Sequence, residues 1–167
     1  MSFLELLDSD DDGLASRAWY EVVVNSKGPL ELARQRLGRL LALLSSPSRL
    51  ARAMAWAAAA SLAEASLIEA TELKSRRQAL VDLLSSRGPS VEAFTIAWEA
   101  ARTLARLGLL TAEDLRPLSG VLWDMAERTS GRERERLLSI ARELQRAGLI
   151  RGAGIRAKVL GEDSYIL

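Results

Sequence analysis

The chain has 167 residues, 49% of them apolar and only 5% aromatic, so Ala and Leu must build its core. Both are strong helix formers, and this length supports one domain with a sizeable interior. Cysteine and histidine are absent and the formal net charge is +1, which excludes disulfide and thiolate chemistry, the commonest general base and transition-metal ligand, and any global field aimed at nucleic acid.

The acidic start, Met-Ser-Phe-Leu-Glu-Leu-Leu-Asp, is unlike a secretory signal, so a cytoplasmic protein is expected. A short helix over 2–8 leads into Asp8-Ser9-Asp10-Asp11-Asp12-Gly13. That run matches the opening of a calcium loop, with Asp8, Asp10 and Asp12 spaced for a hard cation. The match fails at the twelfth position, which should be a bidentate Glu and is Trp19. A turn that starts a helix is the preferred reading, because Asp is a good N-cap. No metal and no cofactor are expected.

Apolar spacings of three and four then predict helices over 13–26, 29–46, 48–66, 70–86, 90–108, 112–128 and 132–148. Lys27-Gly28-Pro29, Ser46-Pro47-Ser48 and Arg87-Gly88-Pro89 separate them, with Gly past one helix and Pro near the start of the next. Thr111 to Asp114 reads as a capped start, Ser130-Gly131-Arg132-Glu133 as a capping box, and Gly108 and Gly148 as helix-ending glycines. The uncharged run Ala53 to Ala63 is too short for a bilayer, which needs about 20 apolar residues. No membrane association is expected.

The elements recur. Leu40-Leu41-Ala42-Leu43-Leu44-Ser45-Ser46 returns 40 positions later as Leu80-Val81-Asp82-Leu83-Leu84-Ser85-Ser86, and Trp56 returns as Trp98 after 42. Leu104 to Leu110 returns as Leu144 to Ile150. A period near 40 residues means stacked units, each burying its apolar face on the next. Paired, the helices make about four hairpins, with Trp19, Trp56 and Trp98 at matching places in three second helices. Core packing is the expected role of these rings.

The segment Leu40–Leu62, LLALLSSPSRLARAMAWAAAASL, resembles a HEAT-type repeat, with an LLxLL first helix, a short turn and an Ala-rich second helix with an early Arg. Leu4–Val24 and Leu80–Leu104 are looser copies. The resemblance, HEAT-like or armadillo-like, covers most of residues 3–150. It departs from the family in the turn within each repeat, where Ser-Pro-Ser or Arg-Gly-Pro-Ser replaces the usual Asp after the first copy. It implies an all-α fold, a right-handed α-α superhelix of about four hairpins, in which second helices line the concave, partner-binding side. Residues 1–150 form this helical-repeat domain, and 151–167 form a C-terminal tail.

Arginines mark the expected binding face. The repeat alignment stacks Arg102 on Arg142 and Arg106 on Arg146, a square of positive charge, with Arg52 at one edge. Residues 30–110 carry 11 basic and 7 acidic side chains, a local positive excess. A solvated helix face is the plainer reading of such a pattern, helped by the nearby Glu99 and Glu143. The alternating run Arg132 to Arg136 reads as an exposed ion-paired face. No Gly-rich phosphate loop and no nucleophile–base pair appears, so the chain is read as non-enzymatic.

The expected function is a scaffold or adaptor whose partner is another protein. The alternative is a small helical subunit of a nucleic-acid-associated complex. In the tail, Ile155, Ala157 and Val159 alternate with Arg156 and Lys158, before an apolar Tyr165-Ile166-Leu167 end. That pattern would fold back on the last hairpin or make a homo-oligomer.

Overall fold

A computed structural model describes residues 3–85 and 90–153. The Arg87-Gly88-Pro89 turn and the tail from Gly154 onward, including the Ile155–Val159 pattern, lie outside the described residues. Among the described residues every regular element is helical.

Helix α1 (Phe3–Leu6) precedes α2 (Asp12–Trp19), which runs on as a π-helical turn over Tyr20–Val24. Then come α3 (Leu30–Arg34), α4 (Leu37–Leu43), α5 (Arg49–Glu64), α6 (Ala70–Lys74), α7 (Arg77–Ser85) and α8 (Val91–Arg106). Helix α9 (Ala112–Leu115), a 3-10 turn over Arg116–Leu118, α10 (Ser119–Arg128) and α11 (Gly131–Arg146) complete the order. Helix α2 packs on α5, α5 on α8 and α8 on α11, while α4, α7 and α10 each lie against the helix that follows.

Of the four long helices α2, α5, α8 and α11, three share the chemistry of their start and three that of their stop. Asp11, Ser48 and Ser90 stand at N-caps, and their side chains accept from the backbone N–H groups of Leu14, Ala51 and Ala93. Such a bond satisfies one of the orphan donors at a helix start. Each of α5, α8 and α11 ends with the next residue but one in the left-handed region: Ser66 at φ 62°, Gly108 at 79° and Gly148 at 78°. The N–H that follows returns to a helical carbonyl, Leu67 to Leu62, Leu109 to Leu104 and Leu149 to Leu144, the pattern of a Schellman motif. The expected Ser130–Glu133 box differs. Ser130 makes no side-chain cap bond, and Glu133 pairs with Arg136, at 3.1 Å, instead of reaching back to Ser130.

The expected continuous helices 29–46, 70–86 and 112–128 are each broken. Arg36 and Arg76 donate their backbone N–H groups to Ala33 and Leu73, three residues back rather than four. In the third case Pro117 has no N–H to give and the chain passes through the 3-10 turn. At Ser75 the hydroxyl bonds the Glu72 carbonyl, and Arg76 takes the same carbonyl. Side chains thus compete with the helical ladder at the break.

Trp19, Trp56 and Trp98 are fully buried, eight residues after their N-caps; the corresponding residue in α11 is Leu138. The Trp19 ring N–H donates to the Leu7 carbonyl at 3.1 Å, and that of Trp56 to Leu44 at 3.0 Å. For Trp98 the corresponding carbonyl belongs to Ser86, outside the described residues. Helix α5 sits at the centre, flanked by α2, α4, α7 and α8. Its Ala53 to Ala60 run is buried on all sides, and the six alanines in it let the neighbours approach closely. Among the described residues no helix is long and apolar enough to cross a membrane.

Candidate functional site

The outer residues of the long helices border two adjoining depressions. Tyr20 and Val24 open the first, of about 250 Å³, with Ala57 and Ser61 of α5 and Glu99, Ala100, Arg102 and Thr103 of α8. The second, of about 280 Å³, lies between Glu99 and Arg102 of α8 and Arg132, Glu135, Arg136 and Ser139 of α11. Glu99 and Arg102 border both, so the depressions form one surface. Alanine and serine keep it low. Tyr20 begins the π-helical turn and is half-buried, and burial followed by the Glu99 charge raises its hydroxyl pKa.

Two charge pairs join α8 to α11, each across 37 residues. Arg136 holds Glu99 through both nitrogens of its fork, at 2.9 and 2.6 Å. Arg106 holds Glu143 in the same way, at 2.6 and 2.7 Å. Bidentate pairs of this kind are the strong, geometrically selective ones. The hydrogen bond from Arg106 depresses the Glu143 carboxyl below its usual range, with smaller help from the Arg102 and Arg146 charges. The paired carboxylates push the guanidinium pKa values of Arg106 and Arg136 up.

Arg102 stands between these pairs. Its Nε lies 4.0 Å from a Glu143 oxygen, too far for a hydrogen bond. That nitrogen is buried and has no hydrogen-bond partner among the described residues. The side chain as a whole keeps 25% of its exposure.

A carboxylate, Glu143, sits among the arginines of the predicted square. Arg102, Arg106 and Arg146 surround Glu143, but Arg142 precedes Glu143 by one residue and so points about 100° away round the helix. Arg142 and Arg146 are exposed, and no hydrogen bond or ion pair joins them to another described residue. Arg52 is elsewhere altogether. Its guanidinium donates to the Ser46 carbonyl at 2.9 Å and the Ala79 carbonyl at 3.3 Å, tying the end of α4 to α7. Two backbone carbonyls thus engage the Arg52 guanidinium away from this face.

The Arg132–Arg136 run is also more than an exposed surface, since Arg136 is half-buried and reaches into the preceding hairpin. The signal for this in the sequence is the shared 37-residue offset between opposite charges, Glu99 with Arg136 and Arg106 with Glu143.

The acidic turn is occupied by structural work. Asp11 caps α2, Asp8 pairs with Arg36 at 3.3 Å, and Asp12 takes Arg39 at 2.9 Å and the Ser46 hydroxyl at 2.6 Å. Among the described residues no three acidic groups converge as metal ligands would. No family model matches the chain, and comparison with curated proteins and with solved structures finds no match.

Proposed function

We propose that this chain is a non-enzymatic scaffold or adaptor that binds another protein, built as a short, right-handed, HEAT-like stack of four hairpins. The observation that supports it is the long-helix face: mixed charge over a floor of Ala57, Ala100, Ser61 and Ser139. A protein partner matches such a surface with apolar contacts at its centre and complementary charges around them. A phosphate backbone asks for unpaired cations. Two guanidinium groups here already hold carboxylates and are not free for phosphate. The nucleic-acid reading is left with Arg102, Arg132, Arg142 and Arg146, set among Glu99, Glu135 and Glu143, and is the weaker. The cytoplasmic location expected from the sequence belongs to the same proposal.

The test is site-directed photo-crosslinking in cells. A crosslinking residue at Ser61 or Thr103 should capture one discrete protein, and the same group at the exposed Glu69, before α6, should not. Capture of nucleic acid from the first two positions, or equal capture from all three, would refute the reading.

A further inference from the structure

We infer that Arg102 anchors an acidic peptide segment of the partner, taking up an Asp or Glu carboxylate where the two depressions meet. This rests on the scaffold reading and names the chemistry of what it binds. The argument begins with stoichiometry along the α8–α11 seam. Besides Glu133, which Arg136 takes within α11 at 3.1 Å, three guanidinium groups, of Arg102, Arg106 and Arg136, face two carboxylates across the seam, of Glu99 and Glu143. Both oxygens of each carboxylate are taken by the fork of Arg136 or Arg106. Arg102 is left with a 4.0 Å contact and a buried Nε that has no partner among the described residues. A buried donor on a charged group is costly to leave unmade. A carboxylate from outside meets the part of the side chain that stays open and gives the planar guanidinium a charged partner at hydrogen-bond distance.

The surroundings select a peptide over a small ligand. Each depression, at about 250 and 280 Å³, falls below the usual volume of a small-molecule site. Each suits a single side chain. A chain crossing α5, α8 and α11 would seat flanking residues in the two depressions while its carboxylate meets Arg102 between them. Neighbouring helix axes lie about 10 Å apart, so roughly seven extended residues span the three helices. Because Arg106 and Arg136 are engaged, one acidic side chain is recognised, not a run of them.

The probe is a capped heptapeptide of alanines with one central glutamate, titrated into the 15N-labelled chain to about 10 mM, with a glutamine peptide as control. The Arg102 Nε–H resonance should move saturably with the glutamate peptide and stay fixed with the glutamine one. R102Q should weaken binding by about tenfold or more, and R102K, which keeps the charge but loses the fork, should fall between. An unmoved Arg102 signal, or R102Q binding as wild type does, would overturn the anchor. Crosslinking from Ser61 in the R102Q background separates the two readings. Undiminished capture there retires the anchor and leaves the scaffold, whereas no capture by either form removes the scaffold itself.

Discussion

Asp12 shows how one side chain can look like a ligand and act as a strut. Its carboxylate accepts from Ser46 and Arg39, groups contributed by the next hairpin. Those bonds, Ser46 first, hold its carboxyl below the usual aspartate range. A depressed folded-state pKa contributes stability that is fully present above the unfolded value, near pH 4, and is lost as pH falls through the folded one. D12N should therefore destabilise the chain at pH 7 by about 1 kcal/mol, a modest figure because the pair is partly exposed. The gap between variant and wild type should shrink below about pH 3. Urea denaturation at both pH values checks this, and an equal gap at each would contradict it. The spacing of Asp8, Asp10 and Asp12 is legible in the sequence, but Arg36 and Arg39, which pair with Asp8 and Asp12, are not, because tertiary packing alone brings them near. Trp56 is the opposite case. Its burial follows from its place in a repeated apolar frame, and only its bond to the Leu44 carbonyl needed the structure.

Helix ends were more legible than helix interiors. Gly108 and Gly148 mark stops by residue type, and both adopt positive φ. Ser66 occupies the same place at φ 62° with nothing in its side chain to announce it, and only the repeat alignment points there. The three positions make a matched test. An added Cβ at Gly108 meets no atom within 4 Å, so G108A should cost about 1 kcal/mol through backbone strain alone. S66G should act in reverse and stabilise by about 0.5–1 kcal/mol, since it relieves that strain. Thermal melts of the two variants should shift in opposite directions; shifts of the same sign would show that contacts, not backbone geometry, decide these turns. The breaks at Arg36 and Arg76 lack any such marker. Their flanking sequences are good helix formers, and at Arg76 the ladder yields to side-chain competition for the Glu72 carbonyl. Pro117 is the one break that residue type alone makes intelligible.

Across the whole molecule the order of elements and the apolar frame were readable from periodicity, whereas the charge pattern was only half so. Repeat alignment treats Arg102 and Arg142 as equivalent, and each stands twelve residues after the N-cap of its helix, yet equivalence puts each on the same flank of its own helix. In α8 that flank meets α11, and in α11 it meets no further described long helix. Charges that touch across a seam therefore differ by 37 residues, not by the repeat of 40. The two kinds of seam should respond differently to salt. The α5–α8 seam is built from buried alanines, which screening leaves alone. The α8–α11 seam adds two bidentate ion pairs on partly exposed side chains, each contributing on the order of 0.5–1 kcal/mol and weakened by salt. Raising sodium chloride from about 0.05 to 1 M reduces the Debye length to about 3 Å. Amides of α10 and α11 should then exchange with solvent several-fold faster, through local opening of the last hairpin. Amides in the middle of α5 should keep their rates. Hydrogen exchange followed residue by residue by NMR measures both at once. Uniform acceleration along the chain, or none in α11, would mean that the ion pairs do not hold the last hairpin in place.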